Sequence, residues 1–257
     1  MRLTPAQLEH FDRAGFLTLP SVFSRAEVDA ALDHLAPLLE QHCPENYREK
    51  STDVVRSAQA LHKRDPFFDR LIRDPRLVGP ATQILGDGQF YAQQVKVNAK
   101  EAFTGEQWQW HYDFAHHHHE DGSPRPLALN LHVFLDDVTE FNGPLVFIPG
   151  SHLQGPTPTQ LDTTTTSYPL WVVTEEVVRG LAEKGGLSAQ TGPAGTLVIF
   201  GDMMMHSSPA NMSPWPRRIF SVIFNPIANH QTSFKRADHQ HHRDFVPVPP
   251  LEAPALV

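Results

Sequence analysis

The stretch WQWHYDF, residues 108–114, places His111 and Asp113 two positions apart. If the stretch is a β-strand, both side chains leave the same face of the sheet, because residues i and i+2 of a strand point the same way. An imidazole and a carboxylate are two of the three ligands of a facial Fe(II) site, which also needs a second histidine. A His-x-Asp pair alone is weak evidence, so the second histidine must be found elsewhere in the chain.

His206, in GTLVIFGDMMMHSSPANMSPWPRR, is the best candidate for that second histidine. It follows a strand that looks buried, so its side chain can turn inward. Arg217 comes eleven residues later (217 − 206 = 11). A guanidinium there can form a bidentate pair with the distal carboxylate of a dicarboxylic oxoacid bound to the metal. Taken singly, His206 is a loop histidine and Arg217 a surface charge, but their order on a β core indicates a metal site with a carboxylate clamp.

Composition excludes several functional classes. The 257 residues are 40% hydrophobic and 19% charged, which is typical of one large globular domain. The net charge of −8, without a Lys/Arg cluster, argues against nucleic-acid binding. No 18-residue apolar run predicts a membrane span, and the N-terminus does not resemble a signal peptide. The single cysteine, Cys43, favours a reducing cytoplasm.

The elements that must position these residues are helices first and strands afterwards. Three helical segments are predicted: from the Thr4-Pro5 cap to Gly15, over residues 24–39, and near residues 66–85. Strands are predicted at 90–99, 127–138, 143–152, 194–202 and 217–228. Short strands without alternating helices predict an antiparallel sandwich or barrel. Residues 153–190 are rich in Thr and Pro, which predicts a lid-like loop with a possible helix at 174–184.

The ordered motifs resemble the phytanoyl-CoA dioxygenase superfamily of Fe(II)/2-oxoglutarate oxygenases, and within it the ectoine hydroxylase group. They are QVKVN, AFTG, WHYDF, EDGSP, NGPLVFIPGSH, GPAGTLVIF, HSS and SPWPR. The resemblance implies a mainly β fold with flanking helices and a double-stranded β-helix (jelly-roll, cupin-like) core. It also implies one dioxygenase domain over 1–257, with a helical part at 1–88, a core at 89–228 that carries the insertion 153–190, and a C-terminal extension at 229–257. A homodimer is plausible for this superfamily.

Carried over by position, the resemblance implies a role for eight residues. The iron ligands are His111, Asp113 and His206. The 2-oxoglutarate site comprises Arg217 on the distal carboxylate, Asn98 and Ser208 as hydrogen-bonding partners, and Trp108 where the group has a Phe beside the cosubstrate. The position of a substrate-contacting glutamine is taken by Gln94.

Departures from the ectoine hydroxylase pattern fall on substrate-pocket positions. Residues 115–118 read Ala-His-His-His where the group has Glu-Thr-Trp-His. The arginine of the group's QSRxN motif is Lys96, and a further arginine is replaced by Leu127. Residues 219–222, Ile-Phe-Ser-Val, also differ. Since the iron and cosubstrate positions are kept, ectoine itself is not the expected substrate.

The four histidines 116–119 have more than one interpretation. They could bind divalent metal adventitiously on a loop. Alternatively His116 or His117 lies in the substrate pocket and donates hydrogen bonds to a carboxylate or another polar group. A second catalytic metal is the least favoured interpretation.

The expected function is hydroxylation of an unactivated C–H bond in a small amino acid or amino-acid-like compound, with dioxygen consumed and succinate and CO2 released. Related halogenases lack the carboxylate ligand, so Asp113 favours hydroxylation. One alternative is a hydroxylase of a larger terpenoid or lipid-like natural product. Another is a non-catalytic, cupin-like metal-binding or sensor protein, which would have no need of the clamp formed by Arg217.

Overall fold

The computed structural model describes residues 1–86, 88–254 and 256. The first half of the chain contains α1 (Pro5–Ala14), β1 (Phe16–Leu19), α2 (Arg25–Leu39), β2 (Asn46–Arg48), β3 (Val55–Gln59), α3 (Leu61–Arg64), α4 (Pro66–Ile72), α5 (Pro75–Leu85), β4 (Phe90–Lys100), β5 (Trp108–His111) and α6 (Asp113–Asp121). The second half contains β6 (Leu129–Phe134), β7 (Leu145–Phe147), β8 (Thr159–Asp162), β9 (Leu170–Val173), α7 (Glu175–Gly185), β10 (Ser188–Gln190), β11 (Leu197–Gly201), β12 (His206–Ser208) and β13 (Arg217–Pro226).

Two antiparallel sheets form the core, which confirms the predicted mainly β fold with flanking helices. The larger sheet has the strand order β1-β11-β6-β13-β4-β3-β2, and the smaller has the order β10-β7-β12-β5. Between them, the ring of Phe147 lies 5.0 Å from the rings of both Phe16 and Phe200. Aromatic contacts of this kind join the two sheets into a sandwich.

The helices cover the other face of the larger sheet. The alternation predicted for 127–138 is present, because Leu129, Leu131 and Val133 of β6 pack into the helical layer. Phe134, the next residue in the strand, packs between the sheets instead. Alternate residues of a strand point to opposite faces, so β6 presents its even-numbered positions to the space between the sheets.

The helix predictions were correct for α1 and α2, and residues near 66–85 are helical as predicted but form two helices instead of one. Thr4 and Ser24 each cap their helices through a capping box. The third segment is two helices, α4 and α5, because Pro75 disfavours helical backbone at the residue before it. Asp74 is accordingly extended, and its carboxylate accepts the Arg76 amide at 2.8 Å.

Strand β3 was missed because its sequence, VRSAQ, has no apolar alternation, although all five of its residues are buried. The prediction that 108–114 is one continuous strand was also wrong. Strand β5 ends at His111, and Asp113 is the first residue of α6.

The insertion 153–190 is more ordered than a loop. Strands β8 and β9 form a two-stranded sheet, and β10 joins the smaller sheet beside β7. The helix expected at 174–184 is present as α7.

After β13 the chain returns along the start of β4, where the amides of His242 and Val248 donate to the carbonyls of Gln93 and Phe90. Among the described residues, no helix is long and apolar enough to cross a membrane.

Glu27 of α2 forms an ion pair with Arg76 of α5. This contact between two helices allows a pH-dependent test of how the helical layer is stabilised. The Glu27 carboxylate accepts two hydrogen bonds from Arg76, at 2.6 and 3.0 Å. The hydrogen bonds from Arg76 are the main cause that lowers the pKa of Glu27 from 4.5 to about 2. A carboxyl group whose pKa is lower in the folded than in the unfolded state stabilises the fold at any pH above its unfolded-state pKa. For Glu27 this stabilisation is lost as the pH falls from about 4.5 to about 2.

We expect Glu27→Gln to lower the free energy of unfolding at pH 7 by about 1–3 kcal/mol. Glutamine still suits the third position of a capping box. The substitution therefore removes the ion pair with Arg76 and keeps the capping interaction. Urea denaturation at pH 7 and pH 3 measures the difference, which should shrink at pH 3. Glu9→Gln, on an exposed residue of α1, is the control. An equal deficit at both pH values would contradict the assignment.

Candidate metal centre

His111 and His206 face each other across two paired strands. In the register of β5 and β12 they are direct Cα partners. Their ring centroids lie 4.1 Å apart. Asp113 follows from the first turn of α6 and brings its Oδ1 to 3.7 Å from Nε2 of His111 and 4.0 Å from Nε2 of His206. The ligand atoms of the three side chains all lie within 4.8 Å of one another, so they could hold one metal ion.

Each histidine is held in the tautomer that a metal requires. Nδ1 of His111 lies 2.6 Å from the Gln109 carbonyl, and Nδ1 of His206 lies 2.9 Å from the Met204 carbonyl. A carbonyl only accepts, so each Nδ1 carries the proton and each Nε2 keeps its lone pair for the centre. Asn130 donates to Oδ2 of Asp113 at 3.0 Å and thereby orients the carboxylate.

For two of the three side chains, the surroundings favour the protonation state of a metal ligand. Burial lowers the pKa of His111 to about 3, so the ring is neutral. Burial raises the pKa of Asp113, but His206 and His111 outweigh it and hold the pKa below its ordinary value. Two imidazoles and one carboxylate, with the remaining directions open to a pocket, are the donor set of a facial Fe(II) site.

The pocket beside the triad contains about 690 Å³ of space, including open solvent at its mouth. Every residue for which the sequence suggested a site role lines it: Gln94, Asn98, Trp108, His111, Asp113, His116, His117, His206, Ser208 and Arg217. On β4, residues 94, 96 and 98 alternate toward this space. The ten residues to which the sequence analysis gave a site role therefore lie around one pocket.

Arg217 is a buried cation whose guanidinium donates hydrogen bonds to uncharged groups. Its Nε donates to the Gly143 carbonyl at 3.0 Å, and one Nη lies 3.2 Å from Oγ of Ser208. Among the described residues, no carboxylate lies within 4 Å of Arg217, whereas its neighbour Arg218 forms hydrogen bonds of 2.6 and 2.8 Å with Asp136. Burial lowers the pKa of Arg217 to about 9. A buried guanidinium that no neighbouring carboxylate of the described residues neutralises favours the binding of an anionic ligand.

Further cations surround the Arg217 end of the pocket. The guanidinium of Arg56 lies 3.8 Å above the ring of Trp108, and its ion pair with Glu49 is fully buried. Lys100 is buried and donates to the backbone carbonyls of Glu106, Ser208 and Pro209. Burial holds the pKa of Lys100 well below its ordinary value, so the positive charge at this end of the pocket rests mainly on the guanidinium groups of Arg217 and Arg56, which suits a dicarboxylate.

Helix α6 divides the histidine tract between the pocket and the surface. His116 and His117 are buried and line the pocket, while His118 and His119 are exposed. Burial lowers the pKa of His117 to about 3 and holds that of His116 well below its ordinary value, so both rings are neutral. Of the ranges that the structure describes, only His111, Asp113 and His206 form a group of three possible metal ligands.

Several lining residues were not predicted from the sequence. Asn130 and His132 occupy the even positions of β6, and the alternation that placed leucines on one face could have identified them on the other. Tyr168 comes from the insertion and Arg236 from the segment after β13, and neither carried a periodic signal. Of the pocket positions at which the chain departs from the ectoine hydroxylase pattern, Lys96 lines the pocket and donates to Oε1 of Gln94 at 2.9 Å. Leu127 is not among the lining residues.

Comparisons with known proteins agree with this geometry. Residues 11–219 match the family model for phytanoyl-CoA dioxygenase (PhyH). Ectoine dioxygenase of Bordetella parapertussis is 38% identical over 237 residues, which cover 88% of this chain and 77% of that protein. L-proline trans-4-hydroxylase of Streptomyces griseoviridis is 37% identical over 256 residues, which cover 96% of this chain and 95% of that protein.

Solved structures confirm the double-stranded β-helix fold. The crystal structure of EctD from S. alaskensis with 2-oxoglutarate and 5-hydroxyectoine superposes with a TM-score of 0.87 at 32% identity, covering 99% of this chain and 89% of that one. The same protein with bound Fe superposes with a TM-score of 0.85 and the same coverage. Iron and 2-oxoglutarate are therefore bound by a solved protein of this fold.

The triad makes a direct prediction about metal binding. We expect His206→Ala to weaken Fe(II) binding by more than the roughly 10- to 100-fold cost of losing an outer-shell partner. His118→Ala, on an exposed histidine of the tract, is the matched control and should leave the affinity unchanged. Anaerobic titration calorimetry measures both. Weaker Fe(II) binding in His118→Ala but not in His206→Ala would assign the metal to the tract instead.

Proposed function

Because the chain belongs to the phytanoyl-CoA dioxygenase family, we propose that it is an Fe(II)- and 2-oxoglutarate-dependent dioxygenase. Its reaction is the hydroxylation of an unactivated C–H bond in a small amino acid or amino-acid-like compound, with release of succinate and CO2. The observation that carries this proposal is the joint position, in one pocket, of a His-Asp-His triad and a buried Arg217 that no carboxylate of the described residues pairs with.

His111, Asp113 and His206 are the residues that would hold Fe(II), and Asn98, Ser208 and Arg217 are those that would hold 2-oxoglutarate. When bound, the metal and the cosubstrate together activate dioxygen for attack on a C–H bond. The protein orients the reactants and excludes water.

Arg217 would fix the distal carboxylate of 2-oxoglutarate through its forked N–H groups. Ser208 supports this arrangement, because its Oγ donates to the Gly143 carbonyl at 2.9 Å and can still accept from Arg217. Trp108 packs beside the same space, and Tyr168 lies 5.4 Å from it, ring to ring. Tyr168 of the insertion therefore forms part of the pocket wall beside Trp108.

Several features support a small amino-acid-like substrate. The L-proline trans-4-hydroxylase relative is matched almost end to end, whereas 77% of the ectoine dioxygenase is matched. The wall contributed by α6 consists of neutral, buried histidines, which can donate to one polar group and accept from another. Asp113 occupies the carboxylate position of the triad, which favours hydroxylation over halogenation.

Three further features of the protein are part of this proposal. We place the enzyme in the cytoplasm, which its single cysteine favours. We treat residues 1–257 as one dioxygenase domain with the insertion 153–190 as its lid, and we propose a homodimer on the resemblance to the family.

The first experiment measures succinate released by the anaerobically purified, Fe(II)-loaded protein given 2-oxoglutarate and oxygen. We expect one member of a panel of free amino acids, cyclic imino acids, N-acyl amino acids and ectoine to stimulate release. Slow release without stimulation would instead favour a larger natural product. No release from iron-loaded protein would favour the non-catalytic interpretation.

The second experiment tests the cosubstrate clamp. We expect Arg217→Ala to weaken 2-oxoglutarate binding by about 10- to 100-fold, since charge-assisted hydrogen bonds contribute about 1.5–3 kcal/mol. Arg218→Gln is the matched control, because the neighbouring arginine pairs with Asp136. Calorimetric titration of 2-oxoglutarate into metal-loaded protein measures both. Unchanged affinity in a folded Arg217→Ala variant would remove Arg217 from the site.

A further inference from the structure

We propose that Asp202 is a positioning residue for the metal centre. As a neutral carboxylic acid it donates its O–H to Nδ1 of His117, and this hydrogen bond holds helix α6, which begins with Asp113. The same bond makes Nε2 the protonated ring nitrogen of His117, so that the ring presents a donor to the pocket. The inference rests on the proposed function, because that function makes Asp113 a ligand of the iron.

The main chain of Asp202 joins the end of β11 to the start of α6. Its amide donates to the Ala128 carbonyl at 3.0 Å, and its carbonyl accepts the amide of Phe114 at 2.9 Å. Phe114 is the second residue of α6, and the first four amides of a helix have no partner within the helix. Tyr112, the N-cap residue, forms no side-chain hydrogen bond that would cap it. Asp202 therefore caps α6 directly beside Asp113.

The side chain of Asp202 faces the same helix one turn later. It is 2% exposed, and neither of its carboxyl oxygens has a hydrogen-bond partner. Among the described residues, the basic nitrogen within 4 Å of it is Nδ1 of His117, 3.8 Å from Oδ2. That nitrogen is also buried without a partner. Three such atoms lie together, although buried polar atoms without partners are uncommon in native structures.

A proton on the carboxyl group allows these atoms to satisfy one another. An ionised carboxylate buried without a donor is strongly disfavoured, whereas a neutral acid has an O–H of its own to donate. Burial, with the charge of Asp113 as a second cause, raises the pKa of Asp202 well above its ordinary value. Burial lowers the pKa of His117 to about 3, so this ring is neutral and keeps one unprotonated nitrogen.

The distance between the two groups is compatible with this bond. A separation of 3.8 Å is about 1 Å longer than a hydrogen bond. The χ2 torsions of Asp and His are broad, so a small rotation brings the oxygen and the nitrogen together. The neighbouring His241 has a different partner, because its Nδ1 lies 3.1 Å from Oδ1 of Asp121.

Two properties of the site follow from the bond. Helix α6 is fixed at Phe114 and again at His117, while Asn130 donates to Oδ2 of Asp113 at 3.0 Å. The metal ligand is thereby held through its helix as well as through its carboxylate. His117 also lines the pocket. Because Nδ1 faces Asp202, Nε2 is the nitrogen left for a ligand, and it carries the proton.

The direct test is the tautomer of His117. Proton–nitrogen correlation NMR measures it on histidine-labelled protein loaded with Zn(II), which is diamagnetic and supports no turnover. The signals of His117 are those lost in His117→Phe. We expect a protonated Nε2 and an unprotonated Nδ1 in the wild-type protein, and a loss of this preference in Asp202→Leu.

The second test is the affinity for Fe(II), measured by anaerobic titration calorimetry. We expect Asp202→Leu to weaken binding by about 10-fold, the lower end of the effect of an outer-shell partner. Asp202→Asn should recover most of the affinity, because its amide again places a donor opposite Nδ1. The double variant Asp202→Leu with His117→Phe should lose no more than the larger single effect, since both changes break one bond. Asp33→Leu, on an exposed position of α2, is the control and should change neither measurement.

Three results would overturn the inference. His117 could carry its proton on Nδ1 in the wild-type protein, which would make Asp202 an ionised acceptor. A folded Asp202→Leu variant could bind Fe(II) with unchanged affinity. Lastly, Asp202→Asn and Asp202→Leu could lose affinity equally, which would exclude the donor as the cause. None of these measurements needs turnover, so the absence of succinate release would count against the proposed hydroxylation and leave the hydrogen bond as a separate result.

Discussion

The antiparallel pairing of β5 with β12 is the constraint on which the site depends. The pairing places His111 directly opposite His206, although the two residues are 95 positions apart (206 − 111 = 95). A shift of one residue in a strand's register moves its side chains to the opposite face. The backbone carbonyls that orient the two imidazoles lie two residues before each ligand, so strand pairing and ligand orientation are set by the same local backbone.

Burial of charge organises the rest of the pocket. Arg217, Lys100 and Arg56 are all almost wholly buried, and Glu49 is a buried carboxylate paired with one of them. Leaving a buried cation without an anion is costly, so the fold is adapted to bind one. The same principle applies to Arg236, but there the protein provides most of the counter-charge itself. The Arg217 end of the pocket therefore suits an anionic ligand such as a dicarboxylate.

The parts of the pocket have different origins in the chain. The triad and the Arg217 end lie on strands of the double-stranded β-helix or immediately beside them, within the region that the family model matches. The facing wall comes from α6, the insertion and the segment after β13, which contribute His116, Tyr168 and Arg236. Loops and extensions can change without disturbing the sheets, so substrate preference can diverge while the metal chemistry is retained.

The sequence alone predicted the mainly β architecture, the capped N-terminal helices and ten of the residues that line the pocket, because hydrophobic periodicity, capping residues and ordered motifs are local properties. It did not determine that Asp113 begins a helix, that residues 66–85 form two helices, or that VRSAQ is a buried strand. Only the tertiary structure placed Arg236 against Asp121 and Tyr168, residues that are 115 and 68 positions away in the chain. Such contacts depend on chain paths far apart in the sequence, and local patterns do not encode which distant segments meet.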